Sequence, residues 1–351
     1  MTASPMSDDR RTSRRKEEHV QLCTDADVRF RRKTTGLERY DFDYVALPEL
    51  NFDQLDTSCE FLGKRLTLPL LISSMTGGYD GATAINAALA RVCQRRGLAL
   101  GIGSMRQALE SNAHAESFRI ARREAPDVPL IANIGGTQLV QGVGIEQIER
   151  LVALIGADAV AVHLNPLQEL LQPEGTPRFR GVLDAIAELV SNLSVPVIVK
   201  EVGAGISGRV AERLVEAGVR IVDVAGAGGT SWAGVELLRS DIADHPLAEL
   251  WDCGIPTADC IVEVASLRTR APLIVIGSGG IVTGFDAAKA IALGADLVGI
   301  ARPLLQALQR GGETELERYL DAWELQLRAA MFVTGSPTIG ALRNAHLRQR
   351  S

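Results

Sequence analysis

The residues able to do chemistry stand in short polar clusters, each directly after an aliphatic run. Lys200 ends the otherwise apolar run Val197–Lys200 and is followed by Glu201-Val202-Gly203. A lysine there can meet an anion or an electron-rich atom of a bound heterocycle, or it can pair with Glu201. Asn133 closes another run and offers a donor and an acceptor together, which suits a planar heterocycle. His163-Leu164-Asn165-Pro166-Leu167-Gln168-Glu169 brings an imidazole, an amide and a carboxylate to one place. A single carboxylate helped by water suits Mg²⁺ carried on substrate phosphates. His163 is either a partner in that chemistry or a hydrogen-bonded core histidine. Gly277-Ser278-Gly279-Gly280 and Gly299-Ile300-Ala301-Arg302 offer bare backbone N–H groups and a guanidinium. Those are donors for a phosphate, unless the glycines serve only tight turns. Gly226-Ala227-Gly228-Gly229-Thr230 can add donors to the same group.

Other chemistries lack their residues. There is no H-E-x-x-H and no Cys/His spacing for zinc, no G-x-S-x-G elbow and no complete Walker A sequence. The five cysteines are scattered and odd in number, which argues for reduced thiols that fill space. The formal net charge of -6 gives no reason to expect duplex nucleic acid or an anionic membrane as partner. Aromatic residues make up only 4%, too few for single-strand stacking platforms. No apolar run approaches the length of a membrane span, and the first 15 residues lack a signal-peptide core. A cytoplasmic location is the resulting expectation.

Something must bring these clusters together. The aliphatic runs are Leu70–Ser74, Leu98–Ile102, Leu130–Asn133, Ala159–His163, Val197–Lys200, Ile221–Val224, Leu273–Ile276 and Leu297–Ile300. They are short and do not alternate, as strands buried on both faces do not. Helix-like stretches lie between them: 82–96, 117–123, 146–155, 180–193, 209–217 and 285–293. Gly97, Gly156, Gly218 and Gly294 follow four of these, as helix stops. About eight strand–helix repeats predict a (β/α)8 TIM barrel, with an open doubly wound sheet as the alternative. Residues 1–60 read as an N-terminal arm and lead-in, with a mobile basic arm over residues 1–18. Residues 61–351 read as the barrel with a C-terminal helical extension. The long sixth unit, residues 225–258, suggests a lid or inserted loop. In such a barrel the polar clusters all fall at the strand ends, where barrel enzymes work, and the last two sit where phosphate usually binds. A phosphorylated planar cofactor, a second anionic ligand and one carboxylate for a divalent metal suit FMN.

At this point the chain resembles a family, the type 2 isopentenyl diphosphate isomerases, from Arg15 to about Phe332. The specific motifs are Arg15-Lys16-Glu17-Glu18-His19 together with His163-Leu164-Asn165-Pro166-Leu167-Gln168-Glu169. Met75-Thr76-Gly77-Gly78, Gly103-Ser104-Met105-Arg106 and Lys200-Glu201-Val202-Gly203-Ala204-Gly205 add to it, with the glycine loops already named. The resemblance implies that Met75, Thr76, Gly77, Ser104, Asn133, Lys200 and Thr230 line the flavin. Gly279, Gly280, Ala301 and Arg302 would hold its phosphate. Arg15 and Lys16, with Ser104, Met105 and Arg106, would bind a diphosphate substrate. Gln168 would face the hydrocarbon, Glu169 would bind Mg²⁺, and Gln168, Lys200 and His163 are the candidate catalytic residues. Glu236 is an additional lining candidate. Ala225 departs from the family, many of whose members carry Ser there.

The resemblance further implies a redox-neutral shift of a double bond, with reduced FMN moving protons near N5 and NADPH or NADH as reductant. It also implies a homo-oligomer, a tetramer or octamer, whose basic arm can reach a neighbouring subunit. A 2-hydroxy-acid oxidase or dehydrogenase is the main rival. It needs a base, commonly His, and none follows the fifth or sixth run. A non-catalytic flavin-binding protein would need neither the Arg-Lys arm nor Gln168-Glu169. A barrel like inosine-monophosphate dehydrogenase would need a catalytic cysteine loop, a context Cys253 and Cys260 lack.

Overall fold

Each of the eight aliphatic runs forms a strand. The computed structural model describes residues 8–240 and 245–350. Its core strands are β1 (Leu70–Ile72), β2 (Ala99–Gly101), β3 (Leu130–Gly135), β4 (Ala159–Leu164), β5 (Val197–Glu201), β6 (Ile221–Asp223), β7 (Ile274–Ser278) and β8 (Leu297–Ile300). They pair in parallel in chain order, and β8 pairs with β1 to close the barrel. The open-sheet alternative is excluded. The strands lack alternation because helices cover one face and the barrel interior takes the other.

The helices around the barrel follow the expected stretches closely. They are α2 (Ala82–Arg96), α3 (Glu116–Glu124), α4 (Ile145–Ile155), α5 (Pro166–Leu171), α6 (Val182–Asn192) and α7 (Gly208–Glu216). After them come α8 (Trp232–Arg239), α9 (Thr257–Ser266), α10 (Gly284–Ala292) and α11 (Arg302–Val333). Gly97 and Gly156 end α2 and α4 in the left-handed conformation, at φ 57° and 56°, which costs a glycine little. The expected insertion after β6 contains α8, which carries residues to the barrel mouth. Residues 241–244 of that segment lie outside the described residues.

The barrel interior is built in layers. Leu71, Ala99, Ile131, Ala161, Ile198, Ile221, Ile276 and Leu297, one from each strand, belong to one buried cluster. Phe61 and Leu66 join it from the strand N-terminal end. They lie on a hairpin, residues 59–61 against 64–66, turned by Leu62 and Gly63 at positive φ. Lys64 fastens this plug to the barrel by an ion pair with Asp158 at 2.7 Å.

Two expectations about the chain ends change. The basic arm is helical: α1 (Asp8–Asp25) covers its described part, and residues 1–7 lie outside the described residues. The lead-in contributes a strand, residues 40–42, which pairs antiparallel with residues 347–349 and ties both chain ends together. The C-terminal helix α11 bends at Gly311 and Gly312 and runs against α10. At this contact a side chain on Gly284 would overlap the Trp323 carbonyl. Trp323 itself is 1% exposed.

This close approach makes a checkable demand. Gly284→Ala adds one methyl group where backbone meets backbone, and should destabilise by about 1–3 kcal/mol. Thermal unfolding should show a lower Tm than the native protein; an unchanged Tm would contradict the packing of α10 on α11.

Candidate active site

Side chains along a strand alternate between faces, so the residue two positions beyond each interior aliphatic again points inward. Applied to the eight interior residues, this gives Ser73, Gly101, Asn133, His163, Lys200, Asp223, Ser278 and Gly299. An apolar layer is thus followed by one of polar and small residues. Ser73, Asn133, Lys200, Asp223 and Ser278 are all buried. Above this layer opens a cavity of about 570 Å³.

The polar layer is held together laterally. His163, Lys200 and Asp223 are register partners across β4, β5 and β6. His163 Nδ1 lies 2.7 Å from Asn133 Oδ1. Burial, aided by the Lys200 charge, pushes His163 down to about 3, so the imidazole is neutral and its Nδ1–H donates to Asn133. His163 is thus hydrogen-bonded to Asn133, whose amide it orients, and it is half-buried and lines the cavity as well. Lys200 Nζ donates to the Glu201 main-chain carbonyl at 2.6 Å, not to its carboxylate. That carboxylate instead accepts the N–H groups of Val202, Gly203, Ala204 and Gly205 and shapes the loop after β5.

On one rim three glycine loops meet. A side chain on Gly229 would strike the Gly280 backbone, and one on Gly279 would strike Gly226. Gly279 and Gly280 have φ of 99° and 73°. Among the described residues their N–H groups reach no protein acceptor, so successive donors point at a common space. This nest lines the cavity beside Ala301 and the start of α11. Arg302 lines it too, but its guanidinium is engaged: Nε donates to Cys23 O at 2.7 Å and Nη2 to Ala26 O at 2.8 Å. It caps the C-terminus of α1, where a cation is favoured. The side chain expected at a phosphate thus also latches this helix.

Another part of the rim is cationic. Arg15 and Lys16 of α1 and Arg106 line the cavity. Arg15 has no hydrogen-bonded or ion-paired protein partner among the described residues. Lys16 donates to the carbonyls of Gly77 and Ser104, the latter at 3.1 Å. Burial, then the nearby Arg15 charge, lowers its pKa to about 7. Met75, Thr76, Gly77, Ser104 and Thr230 also line the cavity. Met105 does not: its side chain is fully buried in the aliphatic core, and only its N–H contributes, to Asn133 O at 2.8 Å. It turns away because it stands at the start of a short helix, residues 106–110.

Between the rims stands a network that sequence reading only touched. Glu236 on α8 has a fully buried side chain. His19 Nε2 lies 2.9 Å from its Oε1, Gln168 Nε2 donates to the same oxygen at 2.9 Å, and Arg239 Nη1 reaches Oε2 at 2.7 Å. Burial would raise this carboxyl group's pKa, yet the three neighbours outweigh it and hold Glu236 ionised below its ordinary range. Glu236 thus stands behind Gln168 and His19, which themselves line the cavity. Arg239 also pairs with Glu18 of α1 at 3.2 Å and with Glu174 at 3.1 Å. Spacing in the sequence gave no sign of Arg239 or Glu174.

Glu169 lines the cavity, with Oε1 accepting from Asn165 at 3.1 Å and Oε2 from the Thr176 N–H at 2.7 Å. Among the described residues no three His, Cys, Asp or Glu side chains converge on a metal position. A cation here would share Glu169 with ligand phosphates, as hard-ion chemistry allows. FMN meets what the site offers. The glycine nest would suit its phosphate, and Asn133 and Lys200 of the cavity wall would suit its ring. Among the described residues, the buried Ser73 hydroxyl and the Asn165 side-chain carbonyl have no hydrogen-bond partner.

Comparison with known proteins agrees with this geometry. The family model described as FMN-dependent dehydrogenase matches residues 9–122 and 164–349. An isopentenyl-diphosphate delta-isomerase of Chlorobium phaeovibrioides is 50% identical over 343 residues, covering 95% of this chain and 96% of the relative. One from Nostoc sp. is 46% identical and covers 100% of this chain and 99% of the relative. Among solved structures, mandelate oxidase with (S)-2-phenylpropionate superposes with a TM-score of 0.66 at 18% identity, covering 98% of each chain. That likeness concerns the fold.

The Lys16 environment sets the pH response of α1. A docked pKa near 7 against an ordinary 10.5 means that docking releases a proton in that interval, so α1 binds more firmly as pH rises. Hydrogen exchange of α1 amides, corrected for intrinsic rates, should be faster at pH 6 than at pH 8.5. Lys16→Met should flatten the difference; an unaltered difference would show that another group controls it.

Proposed function

The chain belongs to the FMN-dependent dehydrogenase family and, within it, groups with the isopentenyl-diphosphate delta-isomerases; from that premise we propose that it converts isopentenyl diphosphate to dimethylallyl diphosphate. The observation that carries this reading is one cavity with two separate groups of anion donors on its wall. The Gly279-Gly280 nest suits the FMN phosphate, and Arg15, Lys16 and Arg106 suit a diphosphate. Glu169 would share Mg²⁺ with that diphosphate, and NADPH or NADH would reduce the flavin.

The reaction adds one proton to the terminal methylene carbon and removes one from the carbon nearer the diphosphate chain. Its electron count is unchanged. Bound FMN in its reduced state supplies acid/base capacity near N5. The protein's part is to bind and orient. The cationic rim and Mg²⁺ hold the diphosphate remotely, so binding energy positions the alkene. Gln168 faces the hydrocarbon, fixed by its bond to Glu236. The ionised Glu236 is paired with Arg239, so its part is to fix Gln168 and His19 at the cavity wall. Helix α1 closes the mouth and excludes water.

The oxidase reading finds less support. A carbinol oxidation needs a base, and the histidine of the polar layer is neutral down to about pH 3 with Nδ1 committed to Asn133. Such an imidazole is a poor proton acceptor.

Anaerobic proton NMR of isopentenyl diphosphate with the protein, FMN, Mg²⁺ and NADPH should show dimethylallyl methyl signals that need both flavin and reductant. Product without flavin, or none with reduced flavin bound, would overturn the reading. Arg15→Ala should raise KM about 10- to 100-fold with flavin affinity kept, as loss of hydrogen bonds to a charged group predicts. Glu169→Gln should shift Mg²⁺ half-saturation upward; an unaltered Mg²⁺ dependence would remove Glu169 from metal binding.

A further inference from the structure

Three carboxylates from three parts of the fold meet one guanidinium. Arg239 closes α8, and its side chain is only 7% exposed. Its Nη1 donates to Glu236 Oε2 on the same helix at 2.7 Å. Nε donates to Glu18 Oε2 of α1 at 3.2 Å, and Nη2 to Glu174 Oε1 at 3.1 Å. Glu174 stands in the turn that follows α5. Among the described residues, no other side chain joins α1 to that turn by a hydrogen bond or an ion pair.

Each of the two parts joined in this way holds a binding residue in place. Helix α1 presents Arg15 and Lys16 to the cavity. The turn fixes Glu169: the Thr176 N–H donates to Glu169 Oε2 at 2.7 Å, and the Gly175 N–H to the Gln172 carbonyl at 2.8 Å. A side chain on Gly175 would overlap the Glu169 carbonyl, so the turn packs directly on the end of α5. The other fasteners of α1 lead elsewhere. Ser13 Oγ lies 3.3 Å from His114 Nε2, Lys16 reaches carbonyls after β1 and β2, and Arg302 and Gln306 hold the last turn. Charge alone does not account for an arginine at this point. A lysine would neutralise Glu236, but its single ammonium lacks the planar fork that serves three carboxylates at fixed positions.

We propose that Arg239 is a positioning residue that locks the seat of α1 to the turn behind Glu169, so that the diphosphate grip and the metal carboxylate keep one mutual placement. Arg239 is not part of the cavity wall and acts through Glu18 and Glu174. This inference rests on the reading of Arg15 and Lys16 as the diphosphate grip and of Glu169 as the carboxylate that shares Mg²⁺.

Amide hydrogen exchange, followed by mass spectrometry in peptides of α1 and of residues 172–176, tests the bridge on the full-length protein without Mg²⁺ or substrate. Arg239→Lys keeps a charge beside Glu236 and should speed exchange in both segments about 2- to 5-fold, as loss of partly exposed ion pairs predicts. Glu174→Gln should loosen α1 as well as its own turn, and Glu18→Gln should loosen the turn as well as α1. These two changes at partly exposed sites keep the test decisive if Arg239→Lys does not fold. Added to Arg239→Lys, Glu174→Gln should speed α1 exchange no further. The KM for isopentenyl diphosphate should rise in Arg239→Lys and in Glu174→Gln by a factor similar to the change in exchange. Native exchange in Arg239→Lys overturns the inference, since charge alone then suffices. Loosening confined to the segment that carries each glutamate change overturns it too, as does a Glu174→Gln effect on α1 that persists in full beside Arg239→Lys. Loosening of both segments with an unaltered KM overturns the link to diphosphate binding. Failure of the native chain to turn over isopentenyl diphosphate overturns the reading of the site, while the exchange results still decide the bridge.

Discussion

The period of two along a strand is the constraint from which the site follows. Eight strands each place an aliphatic residue inside the barrel and then, two residues later, a polar or small one at the mouth. The aliphatic layer excludes water from below. The polar layer then has to satisfy its own hydrogen bonds, because a buried unpaired polar group costs about 1–3 kcal/mol. His163 on Asn133, Lys200 on the Glu201 carbonyl and Ser278 on Asp223 are such pairings. Among the described residues Ser73 Oγ and Asn165 Oδ1 find no partner, and both residues line the cavity. The site is therefore continuous with the core, and its rigidity comes from the strands that carry it.

The rims obey a different logic. Glycine loops on one side pack backbone against backbone, which leaves N–H groups bare at Gly279 and Gly280. Charged side chains on the other side are organised around the buried carboxylate of Glu236. That residue draws α1, α5 and α8 together through His19, Gln168 and Arg239. Losing any one donor would leave a buried charge less well compensated, so the network is expected to respond as a unit.

Much of this was legible in the sequence because strands buried on both faces and glycine helix stops have strong local signatures. Each aliphatic run became a strand, and the polar residues after the runs converge on one cavity. The failures have a common cause. Helix α1 is polar up to His19 and there looks like a solvated arm, yet that stretch meets a polar mouth, where hydrophobic periodicity carries no information. The hold of Arg302 on the end of α1 has no local signature either, and only tertiary structure shows it. Met105 belongs to a motif whose neighbours line the cavity, and the local helix turns it into the core. Arg239 and Glu174 are distant in sequence from all they touch, apart from Glu236.

The latch between Arg302 and the end of α1 has a kinetic side. The same arginine opens α11 beside the glycine nest, so one residue joins the roof of the cavity to its phosphate end. The roof is held mainly by polar contacts with a small apolar cluster at Cys23 and Val28. Such an element opens locally without unfolding the barrel beneath it. A ligand that passes beneath α1 would then leave no faster than that helix lifts.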